Sequence, residues 1–382
     1  MKKLLLSLLL LPTAVVGQVV TTGYYRVQNT FTDRYMEIVD NRASYSVSNT
    51  DLAAFRLLLD FEDNVAFNPA TICYVERISG IQYNLSGQGL DLKAKTGYYL
   101  NIYPQNGVYT IYGQAAGVEV RYIQDLATKS RAYLTYPGND VPDWGKSAPV
   151  ASATEDYRLW RFLPVDQGET TYFGIKPDVQ ASADDSYWST LYMSYPLRAS
   201  SSDTKIYTIS VKGGYAVLNE VTGTVPGNTP VLIRCSSAAP KDNKITLEAP
   251  NGQSPIVSSL AGIYFCNEVE ASTGHRNVTA YNPSTMRVLG TTADGKPAFV
   301  KSSTLQFLPA NKAFAYVSAS APDVLPIVTE AEYTAGIEDI TVDAPAAGVK
   351  GVYTLSGSRI ADTTDGLSKG VYVVNGRKTV VK

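Results

Sequence analysis

The sequence predicts an all-β protein assembled from small modules, and three observations predict it. Tyrosine is very frequent, with 27 residues against 10 phenylalanines, and Tyr, Val, Thr and Ile suit the half-buried faces of pleated sheets. The 29 glycines and 20 prolines supply turns at short intervals. Strand–turn–strand segments recur along the chain, and two sets of them read as internal duplications. At 382 residues the chain has room for two to three domains.

The first element is a leader, residues 1–17. Lys2 and Lys3 form a basic start, Leu4 to Leu11 a short apolar run, and Val15 and Gly17 a small-residue cleavage pattern, so cleavage is expected before Gln18. The apolar run is shorter than the roughly 20 residues a membrane-spanning helix needs, and no later stretch is apolar enough to span. No cysteine follows the run, which speaks against a lipid-anchored precursor. The chain is therefore expected to be exported through the periplasm.

Charge narrows the partners. The 33 basic and 35 acidic residues give a formal net charge of −2, and neither sign forms a long run. A nucleic-acid partner requires a basic stripe to neutralise phosphates, and the sequence carries none. Three cysteines, Cys73, Cys235 and Cys266, are too few for a disulfide scaffold. Cys235 and Cys266 end apolar runs and are a possible pair, whereas Cys73 in TICYVERI reads as a small buried residue.

Residues 18–166 contain the first set of similar segments, at 25–41, 73–89 and 121–139. Val27, Val75 and Ile123 are spaced 48 apart, Tyr35 and Tyr83 keep that step, and Tyr133 comes two residues late. Each segment reads as a strand, a polar turn and a second strand. One hairpin cannot cover its own apolar face, and three around an axis close a barrel without free edges, which predicts a β-trefoil.

GYYRVQNTFTDRYMEIVDN, with LWRFLPV closing the unit, resembles the ricin-type trefoil lectin-like domains of secreted Bacteroidota proteins. In that family each copy ends on Gln-x-Trp; here Trp160 keeps the Trp without the Gln, and Phe55 stands at the matching place of the first copy. The resemblance implies sugar sites in which a carboxylate accepts from vicinal hydroxyls and an aromatic ring stacks on the sugar face. It assigns Glu37 or Asp40 with Tyr45 to the first copy, and Tyr136, Asp140 and Trp144 to the third. The second copy, NLSGQG, lacks a matching carboxylate. For each of these residues the plainer alternative is a solvated loop position.

From Gly168 the composition changes, and residues 167–335 are expected to form a β-sandwich. The segment 216–233 resembles 298–317: Pro226 and Pro309, like Asn228 and Asn311, are 83 apart, and Pro-Gly-Asn and Pro-Ala-Asn are turn signals before apolar strands. The module resembles a β-rich one found near the C-termini of large exported Bacteroidota proteins, which implies a spacer or interaction role.

Catalytic patterns are weak. His275 is the one histidine and sits in a polar turn-like stretch. Metal sites of four cysteines, or of two cysteines and two histidines, are excluded by count. DFEDN (60–64) and SADDS (182–186) offer oxygens but no tight calcium loop. Neither a catalytic residue, a metal nor a cofactor is expected.

Residues 336–349, rich in Ala, Pro and acid, read as an exposed linker. In 350–382 the strands VYTL, GVYVV and KTVV alternate with turns at Ser356-Gly357 and Asn375-Gly376. Gly351, Tyr353, Arg359, Gly370, Tyr372, Lys378 and the terminal Lys382 resemble the C-terminal sorting domain of the type IX secretion system. That resemblance implies the secretion machinery as a partner and a place at or beyond the outer cell surface. The expected function is glycan or polysaccharide binding without catalysis. The alternative is a structural or adhesive surface protein whose trefoil binds protein, and a hydrolase with a carboxylate pair is the least supported.

Overall fold

A computed structural model describes residues 19–30, 33–43, 51–58, 60–88, 90–92, 98–105, 108–115, 121–123, 144–145, 159–264, 279–338, 351–354, 359–374 and 377–381. The all-β expectation holds: nearly every described element is a strand. The chain divides into two compact units, Met1–Ile327 and Val328–Lys382.

Six strands of the first unit close on themselves. Gly23–Asn29 pairs antiparallel with Ile72–Ser79, which pairs with Gln82–Gly87. Gln82–Gly87 pairs with Tyr98–Gln105, and that strand with Val108–Ala115. Leu159–Pro164 then bridges Val108–Ala115 back to Gly23–Asn29. Between successive ring strands the chain makes three excursions. The first holds the hairpin Tyr35–Ala43/Asp51–Leu58, the second the short strand Leu90–Leu92, and the third the pair Arg121–Ile123/Trp144–Gly145.

Period-two alternation sorts the side chains of this ring. Tyr25, Val27, Cys73, Val75, Leu85, Ile102 and Trp160 turn inward and form one buried cluster with Met36, Ile38 and Tyr83. Cys73 is thus the buried small residue its sequence context indicated. Of their strand neighbours, which face the other way, Arg26 and Ile72 are also buried and Tyr24 and Tyr74 partly so. Ile72 belongs to the core of the following module, and Tyr24 and Tyr74 pack against it. Tyr195 Oη donates to Ile72 O at 3.0 Å and Ser86 O at 2.7 Å, and Tyr24 Oη to Glu248 O at 2.8 Å. The expected boundary at 166/167 therefore falls inside one unit, at a seam.

The 48-residue step does not relate equivalent strands. Val27 and Val75 lie on neighbouring antiparallel ring strands, and Ile123 lies outside the ring. The structural repeat is strand–excursion–strand, in a different register from the sequence similarity.

The 83-residue step does mark equivalents. A ten-stranded sheet runs Val179–Ala181, Ser186–Leu191, Val231–Cys235, Lys205–Lys212, Tyr215–Glu220, Val324–Thr329, Pro297–Val300, Met286–Thr291, Lys312–Tyr316, Leu260–Ile263. The two copies flank Val324–Thr329 in mirror order. Leu232 and Ala315, 83 apart, share one central core with Trp188, Ile209 and Phe299. Their neighbours Val225 and Val231 lie in the core toward the ring, and the matching Leu308 and Phe314 in a third core at the far side. Asn228 and Asn311 sit at φ 64° and 57°, the left-handed conformation that asparagine tolerates better than most residues. Both turns reach one segment: Asn228 N–H donates to Met193 O and Tyr192 N–H to Asn311 O, each at 2.9 Å. A small sheet of Phe173–Gly174, Lys244–Leu247 and Leu197–Ala199 completes the region.

The second unit opens with the helix Glu330–Glu338. Thr329 and Glu332 form a reciprocal capping box, with Thr329 N–H on Glu332 Oε2 at 2.7 Å and Glu332 N–H on Thr329 Oγ1 at 3.2 Å. The helix covers the first residues of the expected linker, and 339–350 lie outside the described residues. Four strands follow in the order Arg359–Ala361, Val352–Tyr353, Gly370–Val374, Arg377–Val381.

Candidate functional site

The six residues read as sugar ligands all map to the two long excursions. Tyr45, Tyr136 and Asp140 lie outside the described residues. Trp144 is on the strand paired with Tyr122 and Ile123. Asp40 stands opposite Ala54, just past a register shift after Ile38 that bends the hairpin. The first excursion leaves the ring beside the point where the third returns to it, Thr30 N–H donating to Leu159 O at 2.9 Å.

Glu37 is placed differently from its expected role. It is 6% exposed, and its Oε1 accepts from Asn68 Nδ2 at 2.7 Å. Asn68 also caps the 3-10 turn Pro69–Thr71, its Oδ1 accepting from Ala70 N–H at 3.0 Å. Its carbonyl accepts from Thr71 Oγ1 at 2.8 Å, and that hydroxyl in turn accepts from Arg26 Nε at 3.1 Å.

Arg26 is the centre of the arrangement, and sequence reasoning missed it. It is 1% exposed on a ring strand, on the face turned to the seam. Nη1 donates to Thr171 O at 3.0 Å and Tyr172 O at 2.9 Å; Nη2 reaches Val65 O and Ala66 O, each at 3.4 Å. The guanidinium lies 5.2 Å from the Phe61 ring centroid, and Phe61 meets Tyr172 edge-on at 5.4 Å. Among the described residues no carboxylate pairs with it, and burial pulls its pKa down to about 10. A guanidinium buried without a counter-charge is tolerable because carbonyl dipoles replace its water. In YYRVQN an arginine between apolar residues reads as a solvent-facing position, so only the tertiary contact identifies it.

A second cluster has the outline of a Ser–Lys dyad. Lys312 Nζ lies 2.9 Å from Ser189 Oγ and 2.7 Å from Asp178 Oδ1, and Ser189 Oγ donates to Asp178 Oδ2 at 2.8 Å. Ser189 is fully buried, so no electrophile reaches its oxygen, and the group serves as a tie between the two copies. Cys235 is a buried free thiol beside it, raised to about 12 by burial; Cys266 and His275 lie outside the described residues. Asp60 precedes the single π-turn Phe61–Val65, in which Glu62, Asp63 and Asn64 are exposed, and among the described residues no cluster of three or more metal-ligating side chains occurs.

The described tail residues gather in the four-stranded sheet. Gly351, at φ 126°, has no room for a Cβ, which would lie 2.7 Å from Arg359 Nε. Arg359 pairs with Asp362. Tyr353 stands opposite Arg359 and Val373, and Lys378 opposite Val373. Tyr372 Oη donates to Ser368 O at 2.9 Å, its ring covering Gly370. Lys382 lies outside the described residues.

No protein-family profile matches this chain, and neither a curated protein nor a solved structure matches it. No described helix is long and apolar enough to cross a membrane.

Proposed function

We propose that the chain is an exported carbohydrate-binding protein without catalytic activity, its ligand held by the long excursions of a ring with β-trefoil connectivity. One observation carries this reading: six strands close into a ring with three excursions between them, and every candidate sugar residue maps to the two long ones. Ring closure supplies a rigid base, and loops on a rigid base are where binding residues concentrate. Asp40 and Tyr45 serve on the first excursion and Tyr136, Asp140 and Trp144 on the third, while Glu37 is a structural residue of the first. The C-terminal sheet acts as the type IX sorting signal and the leader directs the chain to the periplasm, which leaves the body at the cell surface or released.

A glycan-array assay on the full mature chain, beside Trp144→Ala, tests the reading. Stacking on one sugar contributes on the order of 1 kcal/mol, about fivefold in affinity, so the variant should lose most of its signal. Binding indifferent to Trp144 moves the site to the first excursion. Absence of binding to every glycan overturns the reading in favour of a protein partner.

A further inference from the structure

We infer that the middle module positions the first excursion hairpin, through Arg26 and then Asn68 and Glu37. Tyr35–Ala43 and Asp51–Leu58 pair with each other, and the hairpin's ladder contact with the ring strand Gly23–Asn29 is the single pair Gln28–Tyr35. A two-stranded hairpin is marginal unless its face is covered. One side is: Met36 and Ile38 enter the ring core, and Gly87 leaves the space, since a Cβ there would lie 2.1 Å from Ile38 Cδ1. On the other side Tyr35 and Glu37 face the 61–71 segment, Tyr35 through Phe61 and Glu37 through its bond to Asn68.

Asn68 is held by the turn it caps, and that turn is held by Arg26 through Thr71. Arg26 in turn is held by Thr171 O and Tyr172 O, which belong to the chain entering the middle module. Tyr172 reinforces the same path through Phe61, which also contacts Tyr35 at 6.1 Å. If Thr171 and Tyr172 moved away, Arg26 would lose both Nη1 acceptors while remaining buried, and the 61–71 segment would keep only its remaining ties, among them Gly174 N–H on Ala66 O at 3.0 Å and Gln88 Nε2 on Pro69 O at 3.4 Å. Glu37 and Arg26 are therefore positioning residues. The consequence for ligand binding rests on the function proposed above; the relay itself does not.

The test is amide hydrogen exchange on the full chain, without ligand. Asn68→Asp keeps the acceptor that caps the turn but removes the donor to Glu37. It should speed exchange across 35–43 by about tenfold or more, with strands 98–105 and 231–235 unchanged, as expected of local opening. Adding Glu37→Gln restores the hydrogen bond with donor and acceptor exchanged, and should bring 35–43 back to wild-type protection. Arg26→Met should loosen both 35–43 and 61–71. If that variant does not fold, the Asn68 and Glu37 pair decides alone. Wild-type protection of 35–43 in Asn68→Asp, or no rescue in the double variant, would overturn the relay. A relay that passes in a chain that binds no glycan sinks the proposed function and leaves this inference standing.

Discussion

Two arginines, each 1% exposed, hold two different parts of the first unit. Arg26 stands at the seam between ring and middle module and collects carbonyls from residues 65–66 and 171–172. Arg287 stands at the far end of the middle module and collects carbonyls of Pro283, Met286, Ala321 and Pro322, between 2.7 and 3.1 Å. Arg287 also has Asp323 at 3.6 Å, whereas Arg26 has no carboxylate among the described residues. The same side chain thus does one job in two settings, donating to several backbone carbonyls that converge on one buried guanidinium. The settings differ in reach: Arg287 gathers loops of its own module, and Arg26 joins two halves of the chain.

The largest contrast should come from alkali. Tyr24, Tyr35, Tyr74 and Tyr172, around the Arg26 seam, all have pKa values raised by burial. The buried thiols of Cys73 and Cys235 are each pushed up to about 12 by burial. Groups with raised folded-state values stabilise the fold below their unfolded values and lose that contribution as pH climbs through the folded ones. The loss should begin near pH 9 for the thiols and near pH 10 for the tyrosines. Arg26 has the opposite sign, since its lowered value favours the fold from about pH 10 upward, but it is one group against several. Urea midpoints measured from pH 8 to 11.5 should fall steadily above pH 9, with exchange at the seam rising before exchange around Arg287. A flat profile across that range would remove the seam's claim to be the weaker place.

Next in size are the arginine truncations. Arg26→Met and Arg287→Met should each lower unfolding free energy by about 2–4 kcal/mol, because several carbonyls lose a charge-assisted hydrogen bond at once. Their footprints should differ. Arg287→Met should loosen 279–285 and 318–323 and leave the seam protected, whereas Arg26→Met should loosen residues on both sides of the seam. Identical exchange maps for the two variants would show that the region responds as a whole and that reach is not what separates them.

Neither arginine was legible in the sequence, and the reason is physical. A guanidinium is read as exposed unless its acceptors are known, and those of Arg26 come from residues more than 140 positions away. What was legible was local. The all-β class followed from residue types that suit pleated surfaces, and the 83-residue duplication from Pro-x-Asn turns whose left-handed asparagines are set by a few neighbouring residues. The 48-residue similarity misled about equivalence because Val27 and Val75 have the same inward burial on adjacent strands that run in opposite directions. Alternation records which face is buried, not which strand lies beside it. The burial of Glu37 was illegible for a related reason: an acid between Met36 and Ile38 reads as the wet face of a hairpin, but Asn68 of the 61–71 segment meets it there.

The smallest expected effect bears most directly on the comparison. Asp323 lies 3.6 Å from Arg287 and 3.1 Å from Lys301, yet its side chain is 69% exposed. Water and salt screen a carboxylate so placed, and exposed pairs contribute about 0–1 kcal/mol. Arg287 keeps its four carbonyl acceptors whether or not that charge is present. Asp323→Asn should therefore cost less than about 1 kcal/mol in urea unfolding at low salt, and the difference from wild type should shrink in 1 M salt. If instead Asp323→Asn costs as much as Arg287→Met, the ion pair holds Arg287 and the likeness to Arg26 fails. If it costs little, carbonyls alone hold both arginines, and Arg26 needs no counter-charge to remain where it is.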